Sequence, residues 1–128
     1  MIYFPMTCNI LTPGHIKCLE YLVGIEEVMV GLLTASALRG YKKELQPFKD
    51  RAYILRALYI PLKVVPQSTL DPGFNIELYK CDKIASGDGW ENVELEAIKR
   101  YNLIQINIPL PKNYSSTKIY ERSSTLRR

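Results

Sequence analysis

Short apolar runs alternate along this chain with stretches whose apolar residues recur three and four positions apart, and no other feature restricts the fold as much. Residues 2–8, 27–33, 63–66, 83–86 and 103–108 read as strands. The second of these, EVMVGLL, is almost wholly apolar, as suits the interior of a parallel sheet. Ile16, Leu19, Leu22 and Val23 predict a helix over residues 15–23, which Gly24 breaks. Residues 34–46 read as a polar connection. Pro47 suits the first position of a helix carrying Phe48, Arg51, Ile54, Leu55 and Leu58. Asp71-Pro72-Gly73 is turn chemistry ahead of one or two helical turns over residues 74–79. Trp90, Val93, Ala97 and Tyr101 mark an amphipathic helix, and Ser115, Ser116 and Thr117 are good caps for a last one. Strands alternating with helices over the whole length predict an α/β domain, a doubly wound parallel sheet with helices on both faces. A chain of 128 residues is one such domain, read as residues 1–122 with 123–128 as a basic tail.

Thr12-Pro13-Gly14-His15 is the turn between the first strand and the first helix. A strand feeding a helix through a tight Gly turn aims the helix N-terminus, with its unpaired N–H groups, at a phosphate. Gly14 lets backbone approach a ligand, and Pro13 holds the turn without needing an N–H. His15 is the only histidine of the chain and falls where those N–H groups point. A histidine at such a place also serves as a capping or core residue, and Thr12 as an N-cap.

Composition closes off several classes. Glu26 and Glu27 interrupt the longest apolar candidate, so no run approaches a membrane span. The start MIYFPM lacks the basic region and cleavage site of a signal peptide, which predicts a cytoplasmic protein. Cys8, Cys18 and Cys81 are odd in number and match no metal spacing, so reduced thiols and no protein-held metal are expected. Residues 111–128 carry five basic residues against Glu121, which leaves twelve basic and twelve acidic residues in 1–110. The whole excess of positive charge sits in that last segment. No nucleic-acid motif accompanies it, so nucleic acid is not an expected partner, and anionic small molecules fit as well.

The turn TPGHIKCLEYL resembles the (His/Thr)-x-Gly-His signature of the small nucleotidyltransferases, in particular the glycerol-3-phosphate cytidylyltransferases. Three further blocks match in order: KKELQPFKDR at 42–51, SGDGW at 86–90 and SSTKI at 115–119. The resemblance covers nearly the whole chain. It implies a Rossmann-like sheet of five parallel strands in order 3-2-1-4-5, with the ligand beside strand one where the order reverses. It also implies a transferase that joins CMP from CTP to a small alcohol phosphate, glycerol 3-phosphate first, and releases pyrophosphate. Mg²⁺ would accompany the CTP, and the enzyme would be a homodimer.

The resemblance assigns roles residue by residue. His15 would stabilise charge on the α-phosphate, Thr12 would donate to a phosphate oxygen, and Lys43 would reach the triphosphate. Thr7, Cys8, Gly14 and Arg51 belong to the nucleotide site, where the arginine either binds nucleotide or holds the site together. Gly87, Asp88 and Trp90 would lie against cytosine and ribose. Lys112, Ser115, Ser116 and Thr117 would take the phosphates. Asn9 stands on the acceptor side in place of an aspartate, Met6 replaces a glycine, Cys8 a phenylalanine and Leu62 an acidic residue. Gly89 replaces the second aspartate of a Gly-Asp-Asp-Trp block, and Tyr114 an isoleucine. Thr12 favours an adenylyltransferase of the same fold, of the pantetheine-phosphate type, as the nearest alternative. Asn9 and Met6 favour a nucleotide-binding module that has lost catalysis. Two expectations follow: His15→Ala leaves the fold nearly untouched, and Asn9→Asp restores a metal-side carboxylate and raises turnover.

Overall fold

The apolar runs become five strands: β1 (Ile2–Met6), β2 (Val28–Leu33), β3 (Lys63–Gln67), β4 (Lys83–Ser86) and β5 (Ile104–Asn107). In the computed structural model, which describes residues 1–87 and 89–109, they pair in parallel in the order β3-β2-β1-β4-β5. The register runs Ile2 to Val28 and Lys83, Val30 to Val64, and Lys83 to Ile104. The expected strand order and the Rossmann-like doubly wound class are therefore the observed ones. Asp88 and residues 110–128 lie outside the described residues, and with them the expected last helix, the basic tail, Lys112, Ser115, Ser116 and Thr117.

Period-two alternation sorts the core into two layers. Ile2, Phe4, Met6, Val28, Val30 and Leu32 face α1 (Pro13–Val23) and, beyond α2 (Ala35–Leu38), α3 (Phe48–Arg56), where Cys18, Leu19, Leu22, Ala52 and Leu55 meet them. On the other face Tyr3, Met29 and Ile84 pack against Ile76 of α4 (Gly73–Tyr79) and Ala97 of α5 (Asn92–Tyr101). All six residues of β2 are buried, which is why its sequence shows no alternation. Each fully buried Val, Leu or Ile side chain contributes roughly 1.5–3 kcal/mol relative to exposure.

Several boundaries differ from expectation for local reasons. β1 stops at Met6 because Cys8 takes the left-handed conformation, φ 56°, and turns the chain out of the sheet. Residues 34–46 are not wholly irregular: Thr34 caps the four-residue α2, accepting from Ala37 N at 3.3 Å, and Leu38 is buried. Such a helix is shorter than the window in which periodicity is legible. Pro47 is the N-cap of α3, one position before the place expected for it. Trp90 precedes α5 and donates from its indole to Asn107 Oδ1, 2.7 Å away, which ties the start of that helix to the end of β5. Gly24 ends α1 in right-handed geometry, φ −69°, so its value there is not the left-handed freedom of glycine.

Candidate functional site

β1 is bonded to β2 on one side and to β4 on the other, and the crossovers from β1 and β4 leave for opposite faces. Their exits diverge and open a crevice at the C-terminal ends of the strands, the place where open parallel sheets bind ligands. Its walls are residues 7–15 and the β4–α5 connection. The exit of β4 runs close to α1, since a Cβ built on Gly87 would lie 3.3 Å from Cys18 Sγ.

The helix side of this crevice is built by local sequence. Pro13 supplies the fixed φ of the first helical position, where its missing N–H costs nothing. Thr12, only 4 % exposed, takes the N-cap, and its Oγ1 accepts from His15 N at 3.4 Å. His15 returns the bond: its Nδ1 accepts from Thr12 N at 3.0 Å, which completes a capping box with histidine where glutamate or glutamine is usual. A backbone N–H can only donate, so Nδ1 is the acceptor and the neutral ring carries its proton on Nε2. The capping role open to His15 is thus present. Its ring holds the first turn of α1.

The strand side is organised by Arg51, a side chain with no exposure at all. Its Nε donates to Gln46 O (2.9 Å), its Nη1 to Thr7 O (2.9 Å) and Leu33 O (2.6 Å), and its Nη2 pairs with Glu44 Oε2 (2.5 Å). One guanidinium thereby joins the end of β1, the end of β2 and the segment 44–46. Of the two roles open to Arg51, holding the site is the one its contacts describe. Its burial keeps it from a ligand. Glu44 and Gln46 were not legible as its partners because they lie in irregular backbone where no spacing rule applies, and the carbonyl of Leu33, at the end of β2, because it is 18 residues away in sequence.

Asn9, expected on the acceptor side, has its side chain engaged by the chain itself. Its Nδ2 donates to Lys43 O (2.7 Å), its Oδ1 accepts from Leu45 N (2.9 Å), and its own carbonyl accepts from Gln46 Nε2 (2.7 Å). The side chain is engaged by the segment 43–46, and an aspartate could not make the first of these bonds. Lys43 itself is exposed, its backbone held beside residue 9. Cys8 is buried in the core, and burial pushes its thiol up to about 11 against the pull of Arg51, so it is no thiolate nucleophile. Met6 and Leu62, two further departures from the family's pattern, are respectively a buried and a partly buried member of the same apolar layer.

On the β4 side Ser86 Oγ donates to Gly89 O, and Gly89 has φ +125°, which a side chain rarely adopts. Tyr41 reaches across from the loop after α2 and donates to Glu91 Oε1 at 3.3 Å. Thr7, Cys8, Asn9, the Lys43 backbone and Arg51 thus meet beyond the C-terminal end of β1, Thr12, Gly14 and His15 form the start of α1, and Gly87 and Trp90 follow β4. Among the described residues no group of three or more His, Cys, Asp or Glu side chains is placed to hold a metal ion. Nor is any helix among them long and apolar enough to cross a membrane.

No protein-family model matches this chain, and no curated protein matches it. Among solved structures it is similar to the lipopolysaccharide core biosynthesis protein from Thermoplasma volcanium GSS1, with a TM-score of 0.75 and 18% sequence identity. The match covers 87% of this chain and 97% of the other. At that identity the two share a fold.

Proposed function

We infer that the chain is a nucleotidyltransferase of the cytidylyltransferase type, transferring CMP from CTP to a small alcohol phosphate, glycerol 3-phosphate first. The observation that carries this reading is the Thr12–His15 capping box, set at the reversal of strand order with the Lys43 segment bonded alongside. An oxygen of the acceptor's phosphate attacks the α-phosphorus in line. The bond to the bridging oxygen breaks, and pyrophosphate leaves with the electron pair. No covalent enzyme intermediate is needed, in keeping with the protonated thiol of Cys8. The positive end of α1, the His15 Nε2–H and the Lys43 ammonium supply charge stabilisation, and the fixed walls supply positioning. Mg²⁺ would accompany the CTP and balance the charge of its phosphates. A homodimer in the cytoplasm completes the proposal.

One observation favours a second reading, a nucleotide-binding module without turnover: position 9 offers an engaged amide where relatives are expected to have a carboxylate. Measurements of binding and of turnover decide. A thermal-shift series with the four nucleoside triphosphates and Mg²⁺ should single out CTP, since a ligand at 100 times its Kd adds about 2.7 kcal/mol to the folded state. Equal displacement of labelled CTP by ATP would move the chain to the adenylyltransferase alternative. His15→Ala should lower turnover by on the order of a hundredfold. It should also lower Tm slightly, because the lost bond to Thr12 N is worth about 1 kcal/mol. Binding of CTP with no pyrophosphate release in the unaltered protein would establish the module instead.

A further inference from the structure

We propose that Asn9 is a positioning residue, an amide staple that sets the conformation of the 43–46 segment and with it the place of Lys43. Residues 43–46 form no helix or strand, yet each is held from outside. Asn9 takes Lys43 O, Leu45 N and Gln46 Nε2, while Arg51 takes Glu44 and Gln46 O. The left-handed turn at Cys8 is what carries Asn9 out of β1 toward that segment.

The chemistry of the staple is particular. Donation to the carbonyl of one residue and acceptance from the N–H two residues on is what one residue of a parallel neighbouring strand would provide through its own N–H and C=O. A side-chain amide copies it with one planar fork of donor and acceptor. A carboxylate keeps the bond from Leu45 N but sets a negative oxygen against Lys43 O, leaving that carbonyl without a donor. A protonated carboxyl again has one donor and one acceptor. Position 9 therefore requires a neutral fork, and a carboxylic acid there serves only when protonated. The staple stands on the geometry alone, whereas its value for nucleotide affinity rests on the nucleotidyltransferase reading.

Asn9→Ala and Asn9→Asp, each checked by its circular dichroism melt, separate the two. Exchange of the Leu45 amide, followed by NMR and corrected for intrinsic rate, should quicken roughly tenfold or more in both variants at pH 8. On acidification Asn9→Asp should recover protection and Asn9→Ala should not. Affinity for CTP should fall about tenfold in step with the lost protection, with KM rising more than kcat falls. Unchanged Leu45 exchange in Asn9→Ala would overturn the proposal, and so would wild-type behaviour of Asn9→Asp at pH 8. Faster exchange with CTP affinity intact would overturn the positioning role. If the unaltered protein binds no CTP while Leu45 responds as described, the functional reading fails and the staple stands. Should Asn9→Ala not fold, the pH dependence of Asn9→Asp decides by itself.

Discussion

Replacing Arg51 tests whether the guanidinium builds the site or faces its ligand. In Arg51→Ala three main-chain carbonyls, Thr7 O, Leu33 O and Gln46 O, lose their donor, and Glu44 loses its ion pair. Removing one partner from a buried ion pair typically costs about 3–5 kcal/mol. Here Glu44 keeps 28% of its side-chain surface, so water recovers part of that loss, while the orphaned Leu33 carbonyl restores it. We expect about 4 kcal/mol, a large share of the roughly 5–15 kcal/mol by which a domain is stable. With a urea slope of about 2 kcal/mol/M the midpoint should fall by about 2 M. Arg51→Lys keeps the charge but brings one ammonium where three nitrogens worked, so about half the loss should remain. Glu44→Gln keeps an acceptor for Nη2 and should cost only about 1 kcal/mol. Urea unfolding followed by circular dichroism ranks the three, and CTP affinity is measured on each folded variant. Arg51→Lys with an unchanged midpoint but no CTP binding would refute the clamp and show a guanidinium that contacts nucleotide.

Two further expectations concern the scaffold. A methyl added at Gly31 would sit 1.9 Å from Tyr3 Oη and 2.6 Å from Gln67 Oε1, inside a buried network that joins Tyr3 to Gln67 (2.7 Å) and Asn75 (2.9 Å). Gly31→Ala should therefore cost about 3 kcal/mol or more, read as a drop in Tm, and should cost much less in a Tyr3→Leu background; similar losses in both backgrounds would refute the contact. The Asp82 carboxyl is held down to about 2, first by its bond with Lys83 and then by the N-terminal ammonium. A lowered carboxyl stabilises the fold above its unfolded value near 4 and loses that contribution as pH falls toward 2, so Asp82→Asn should flatten the acid limb of the Tm profile between those values. Because Asp82 is 59% exposed the effect should be small and should vanish in high salt. An acid limb unchanged in Asp82→Asn at low salt would place the titration elsewhere.

Parallel strands and the helices between them were legible in the sequence because burial on two faces leaves continuous apolar runs, and one-sided burial leaves a 3.6-residue period. EVMVGLL became, from its second residue on, the wholly buried β2, and residues 83–86 became β4 without adjustment. The turn 12–15 was legible for the same kind of reason, since Pro at the first helical position and Thr before it act within one turn of chain. His15 was legible as a residue of the turn, but not as the acceptor for Thr12 N. Tertiary structure alone decided what depends on which segments meet. Arg51 is 44 residues from Thr7, and Asn9 is 34 from Lys43, separations across which no periodicity operates. The sheet brings those strand ends together, and the unpaired backbone groups there are then satisfied by whichever fork of donors lies within reach. Hence an arginine and an asparagine whose types suggested ligand contacts are the groups that hold the walls of the crevice.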